Sequence, residues 1–153
     1  INEDTSRAEL DNFIKSMPEN IKLVEVNVKV ETDLNDLSEE EKKEFMEEFG
    51  IDESALSKII RTGYSLLDLK TFFTSGEKES RAWAAKKYFN AQECSGIIHT
   101  DIQKGFIRAE TVSYKDYVDS GSEQASKANG VWRQEGKEYI VNEGDVIYFR
   151  FNV

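Results

Sequence analysis

Residues 94–114, CSGIIHTDIQKGFIRAETVSY, decide the fold, because the hydrophobic period switches from helical to extended partway along them. Just ahead, Asn90 and Glu93 stand at capping-box spacing, which satisfies two otherwise orphaned backbone donors. Ala91, Cys94, Ile98 and Ile102 then recur at helical intervals and predict one helix with a single apolar stripe. Lys104 suits the negative end of the helix dipole, and Gly105 is expected to end the helix in the left-handed conformation. From Phe106 onward, Ile107, Ala109 and Thr111 alternate against Arg108 and Glu110, which predicts a strand. A helix feeding a strand this directly implies one buried helix packed on a sheet.

The residues on either side extend that reading. Strands are predicted at 71–74, 81–86, 106–114, 139–141 and 146–151, with turns at Gly76, Gly136 and Gly144. Asn142 to Asp145 supplies turn chemistry before the last strand. There Ile147, Phe149 and Phe151 form one face and Val146, Tyr148 and Arg150 the other, so one side is expected to be buried. Short helices are predicted at 115–119 and 122–129, with Ala125 and Ala128 as small packing residues. Four to five strands around one principal helix make an α+β, β-grasp arrangement.

The first part of the chain reads differently. Ala8, Leu10, Phe13, Ile14 and Met17 predict a helix that stops at Pro18. Residues 22–30 alternate β-branched with polar residues and predict a strand, and a helix followed by such a strand is how an open α/β domain ends. Ser38 and Glu41 cap an acidic helix over 39–49, with Leu37, Phe45, Met46 and Phe49 on its apolar side, and Gly50 stops it. A further helix is predicted from 53 to 62, ending at Gly63 with Leu56, Ile59 and Ile60 inward.

At 153 residues the chain can bury a real core, and length allows one or two small domains. No apolar run approaches the roughly 20 residues of a membrane span. There is no leader pattern and no initiating Met, which points to a fragment. A lone Cys94 fits a reducing cytoplasm. The net charge of -10 belongs to the first part: residues 1–60 hold 7 Lys/Arg and 17 Asp/Glu, whereas 61–153 hold 13 of each. The acidic total argues against nucleic acid. The neutral second part still leaves room for a local basic face around Arg81, Lys86, Lys87, Lys104 and Arg108, against the simpler reading of a solvated surface.

The candidates for chemistry are weak. His99 and Asp101 are two apart, so on one helix they do not face each other, and both are expected to hydrogen-bond to neighbouring loops. Cys94 lies on the apolar stripe, where burial keeps a thiol inert. Residues 130–137, GVWRQEGK, have one residue too many before Gly-Lys and lack the following Ser or Thr of a phosphate-binding loop. Glu39, Glu40 and Glu41 point in different directions on a helix, which suits a dipole role better than a metal. No metal ligand set is predicted.

A resemblance adds to this. IHTDIQKGFIRAE at 98–110, FFTSG at 72–76, RAW at 81–83 and EGKEYIVNEGDVIYFRFNV at 135–153 resemble the C-terminal part of the YchF/Obg-like ATPase family. LSEEEKKEF at 37–45 and ALSKIIRTGY at 55–64 match more loosely. The resemblance implies a ubiquitin-like β-grasp (TGS) domain over 66–153. Residues 1–65 would be the helix and strand remnant that ends a P-loop α/β nucleotide-binding domain, with acidic helices. Ile1, Asn2 and Glu3 would then be the last three positions of an Asn-x-x-Glu base-recognition motif, Glu3 accepting from adenine's amino group. Asn27, Val28 and Lys29 would form the next base-side loop, where Asn27 and Val28 replace the family's small residues.

The function implied is that of a C-terminal fragment of a cytoplasmic, ribosome-associated P-loop protein that binds and hydrolyses ATP and, more weakly, GTP, with Mg. No cofactor is expected in the fragment itself, which lacks the phosphate loop and should be inactive. The TGS domain would bind the ribosome or its RNA, with no DNA and no membrane as partner. The alternatives are a stand-alone TGS module that binds RNA or a nucleotide, and a hydrolase using His99. In a β-grasp sheet with its helix on one face, the opposite face is open. Arg81, Lys86, Arg108, Arg150 and the stacking group Tyr148 are the candidate RNA-binding residues there, with acidic Glu110 among them.

Overall fold

The computed structural model describes residues 6–18, 21–76 and 78–152. Its contacts divide the chain into two compact units, Ile1–Leu66 and Leu67–Val153.

The first unit is helical: α1 Arg7–Ser16, α2 Val28–Asn35, α3 Glu39–Glu48 and α4 Ala55–Leu66. Ser38 with Glu41 forms the capping box at α3 that its spacing predicts, and Ser6 with Glu9 forms a second, at α1, beyond those predicted from the sequence. Gly50 follows α3 with φ +62°. Three expectations fail here. The alternating stretch 22–30 is not a strand: 21–27 lack regular structure, and Asn27 caps α2 by accepting from Lys29 N–H and Val30 N–H. Alternation yields a strand only where another strand completes its hydrogen bonds, and none of the described residues in this unit is one. Helix α4 also runs through Gly63, which costs a helix interior only about 1 kcal/mol. Its apolar stripe exists, but Leu56, Ile59 and Ile60 are exposed while Ala55 is buried, its N–H donating to Glu31 Oε1 at 2.8 Å.

The second unit contains β1 Leu69–Ser75, β2 Ser80–Lys86, α5 Ala91–Ile98, α6 Thr100–Lys104, β3 Phe106–Ser113, α7 Tyr114–Ser120, α8 Glu123–Ala128, β4 Arg133–Glu135 and β5 Asp145–Phe151. The strands form one sheet in the order β2-β1-β5-β3-β4, with β1 parallel to β5 and the other pairs antiparallel. Phe72, Ala85, Ala91, Cys94, Ala109, Val141, Ile147 and Phe149 make the core between sheet and α5. This is a β-grasp-like α+β domain.

The pivotal stretch folds as helix then strand, with a break the periodicity does not show. His99 is extended, at φ -163° and ψ 142°, and separates α5 from α6. It is the N-cap of α6: its Nδ1 accepts from Asp101 N–H at 3.2 Å and lies 3.4 Å from Asp101 Oδ2. The two residues therefore face each other, because they flank a cap and do not share one helix. Gly105 is not left-handed either, having φ -88°. Its need for glycine is steric, since a Cβ there would lie 1.9 Å from the Asn152 carbonyl oxygen. Asn152 N–H in turn donates to Gly105 O at 2.9 Å, tying the end of β5 to the start of β3.

The fourth strand is β4, not 139–141, which makes only an isolated bridge between Asn90 and Ile140. Side-chain bonds claim that segment instead. Tyr139 donates its hydroxyl proton to buried Asp145 Oδ2 at 2.8 Å, and Asn142 Nδ2 donates to the Tyr139 oxygen. In α8 the buried residue is Ser126, whose hydroxyl bonds the Ser122 carbonyl, while Ala128 is exposed.

The sheet face away from α5 is also partly covered. Helix α7 lies against it, so Val112 and Val146 are buried, the Phe73 and Tyr114 rings stand 5.6 Å apart, and the Ser75 and Tyr117 hydroxyls are 3.3 Å apart. Beyond α7 the ends of β3 and β5 stay open, and on β2 the same face leaves Ala82 and Ala84 exposed. Phe151 is 41% exposed, so the apolar face of β5 ends at Phe149.

Candidate nucleic-acid interface

On the open part of the sheet, β3 and β5 pair Arg108 with Arg150 and Glu110 with Tyr148. Directly opposed residues on antiparallel strands share a face, and neighbours alternate, so these four project away from Ala109, Ile147 and Phe149 of the core. Glu110 is buried to 8% exposure at their centre. Arg150 grips it side-on, Nε to Oε1 at 3.0 Å and Nη2 to Oε2 at 3.1 Å. Arg108 Nη2 donates to the same Oε1 at 3.1 Å. The Arg150 hydrogen bonds hold the Glu110 carboxyl below its usual pKa against the opposing effect of burial, with Arg108 adding to the same effect. The Arg150 guanidinium stacks 4.3 Å from the Tyr148 ring centroid.

Helix α8 brings in two residues that strand patterning passes over. The Glu110 hydrogen bonds, with a smaller part from Glu123, raise the Arg150 pKa, and Glu123 pairs with Lys127 Nζ at 2.5 Å. The Lys127 ammonium sits 4.9 Å from the centroid of Trp132. Basic groups alternating with aromatic rings are the ingredients of a single-strand surface, in which bases stack and phosphates pair.

The other two basic candidates are not there. The register Phe72 to Trp83 and Thr74 to Arg81 puts Arg81 on the core face, where its guanidinium lies 5.0 Å from the Trp83 centroid and its Nε 2.8 Å from Glu79. Lys86 has the open-face parity, but its Nζ donates to Leu67 O at 2.9 Å, and it pairs with Leu69 at the start of β1. With Phe73 level with Val146, Lys86 and Arg150 lie at opposite ends of the sheet, roughly 25 Å apart along the strands. Arg108, Tyr148 and Arg150 form a cluster; Arg81 and Lys86 stand outside it.

Elsewhere the chemistry is structural. Cys94 is fully buried, and burial pushes its thiol up to about 11. Lys70, just ahead of the strand predicted at 71–74, is 3% exposed and donates its ammonium protons to the carbonyls of Lys87, Phe89 and Val141. Burial lowers its pKa, opposed by Cys94, Asp145, Glu143 and Glu93 nearby. Among the described residues no group of three or more His, Cys, Asp or Glu is placed to hold a metal ion, and no helix is long and apolar enough to cross a membrane.

Comparison with known proteins places this fold. The family model YchF-GTPase_C, described as "Protein of unknown function (DUF933)", matches residues 69–152. The chain belongs to the YchF family. It is 53% identical over 135 residues to the "Ribosome-binding ATPase YchF" of Bacillus subtilis, covering 88% of this chain and 37% of that protein. It is 50% identical over 123 residues to "Obg-like ATPase 1" of Gallus gallus, covering 80% of this chain and 31% of that one. The solved "Schizosaccharomyces pombe YchF GTPase" superposes with a TM-score of 0.76 at 34% identity, over 94% of this chain and 38% of the yeast chain. The chain thus spans about a third of its relatives' length. Of the base-side residues that the YchF resemblance implies, Ile1, Asn2 and Glu3 lie outside the described residues. Asn27 uses its side chain to cap α2, Val28 is 64% exposed, and Lys29 supplies a capped backbone N–H.

Proposed function

We propose that this chain is the C-terminal portion of a cytoplasmic, ribosome-associated ATPase, and that its β-grasp unit docks on ribosomal RNA through the open part of β3 and β5. The observation that carries the docking surface is the cluster of Arg108, Tyr148 and Arg150, two guanidiniums and a ring on one face. The names of the relatives support a ribosome as partner and ATP as substrate of the longer protein. In that protein Glu3 would read adenine, the loop at Asn27 to Lys29 would edge the base, and Mg and the phosphates would be held by residues elsewhere. The one Gly-Lys pair in this sequence, Gly136-Lys137, is followed by Glu138 and cannot serve as a phosphate loop.

The test is ribosome co-sedimentation of the full-length protein at two salt concentrations, with thermal melts as a folding control. Arg108→Ala combined with Arg150→Ala should lower the ribosome-bound fraction at both salt concentrations and flatten its salt dependence, because each lost phosphate contact removes about 0.7 from the log-log salt slope. Unchanged co-sedimentation with an intact fold would place the docking surface elsewhere.

A further inference from the structure

The two arginines share Glu110 unequally. Arg150 is fixed from three directions, by Nε and Nη2 on separate carboxylate oxygens and by the Tyr148 ring behind its plane. A side-on bidentate pair with a stacked guanidinium leaves little freedom. Arg108 gives Glu110 a single bond, from Nη2, to an oxygen that Arg150 Nε already uses. Its own Nε is shielded from solvent with no hydrogen-bond partner. It also stands beside the register shift between Phe106 and Arg108, where the ladder with β5 is interrupted. For Arg150 to leave Glu110, two charge-assisted bonds and a stack must break. For Arg108 to leave, one bond breaks and one orphaned donor gains access to a partner.

We infer that the two arginines divide the work: Arg150 is a fixed post, and Arg108 is an arm that leaves Glu110 to take a phosphodiester of single-stranded RNA, with Glu110 as the resident competitor for that arm. This rests on the RNA-docking reading above. A phosphodiester suits the site because its two non-bridging oxygens replace the two oxygens of a carboxylate, which the guanidiniums already accept. The aromatic neighbours favour RNA over an acidic peptide: Tyr148 is 42% exposed and Trp132 lies beneath Lys127, so bases would find rings beside the phosphate contacts. Lys127 is itself paired to Glu123, which leaves Arg108 as the cation least committed within the cluster. Glu110 then has two roles. It positions Arg150, and it keeps Arg108 folded back until a competing anion arrives.

The experiment uses the full-length protein with a fluorescein-labelled oligouridine 12-mer as probe, an oligoglutamate peptide as the second arm, and a thermal melt of every variant. Arg108→Ala should weaken oligouridine binding about tenfold, the loss of one charge-assisted contact, and lower the salt slope by about 0.7 while leaving the melt unchanged. Glu110→Gln should tighten binding several-fold. Arg150→Ala should lower the melting temperature, because it leaves a nearly buried carboxylate with one weak partner. Arg108→Lys should restore part of the affinity. Equal melts and equal binding for Arg108→Ala and Arg150→Ala would overturn the division between post and arm. Weaker or unchanged binding for a well-folded Glu110→Gln would overturn the competitor role even if Arg108→Ala binds poorly. If none of the variants alters oligouridine binding, the docking reading itself falls. A change confined to oligoglutamate would make the ligand a protein carboxylate and overturn the assignment to RNA.

Discussion

Replacing Lys70 by Met should unfold the β-grasp unit at temperatures where the parent is stable. The side chain is 3% exposed, and its ammonium donates to the carbonyls of Lys87 at 3.0 Å, Phe89 at 2.8 Å and Val141 at 2.5 Å. It thereby ties the end of β2, the residue before the α5 cap and the segment before β5 to the start of β1. Met keeps most of the stem volume and removes the donors, so three carbonyls lose a charged partner, each bond of that kind contributing about 1.5–3 kcal/mol. Relief of the buried charge offsets several kcal/mol, which leaves a net loss of about 3–5 kcal/mol. For a unit of this size that is a fall of roughly 15–30 °C in Tm. Both tryptophans, Trp83 and Trp132, lie in this unit, so their fluorescence reports its unfolding. Lys115→Met, at a side chain 81% exposed and paired to Asp119 in solvent, should leave the melt unchanged. Lys70→Arg should lose nearly as much as Met, because a planar fork cannot aim donors at three converging carbonyls. A melt of Lys70→Met within about 5 °C of the parent, by the same conversion, would refute the carbonyl-cradle argument.

Two further outcomes are expected. Gly105→Ala should cost about 1–3 kcal/mol or more through overpacking, seen in urea midpoints, because its Cβ would meet backbone at Asn152 and not a side chain that can move. Cys94 makes stability depend on alkaline pH: its thiol is pushed from 9.0 to about 11, so its contribution is fully present below pH 9.0 and is lost as pH rises toward 11, by about 3 kcal/mol in all. Relative to Cys94→Ala, the parent's urea midpoint should therefore fall between those pH values, and a flat difference would remove Cys94 as the cause.

What could be read from the sequence depended on neighbours a few residues apart. The predicted capping boxes at Ser38 and Asn90 formed because each needs only a residue three positions on. The strands around Phe72, Ala109 and Ile147 formed because period-two alternation there meets a helix that covers one face, and the β-grasp core follows from those two periods together. The same local rules misread residues 22–30, since a strand is completed by a partner that local sequence cannot supply. They also missed the break at His99, where a side chain caps a new helix inside an unbroken apolar stripe.

Strand pairing decided the rest. Whether Arg81 faces the core or the open side depends on its register with Thr74, and the distance between Lys86 and Arg150 depends on which end of β1 lies beside β5. The Glu110 clamp joins residues forty positions apart in the chain, and the Lys70 cradle draws one of its carbonyls from Val141, 71 positions away. Residue types and spacing determined the domain's core, and the resemblance of its sequence blocks pointed to the family. The sharing of one buried carboxylate by two arginines was set only when β3 and β5 came into register, because no local period carries information about a partner strand.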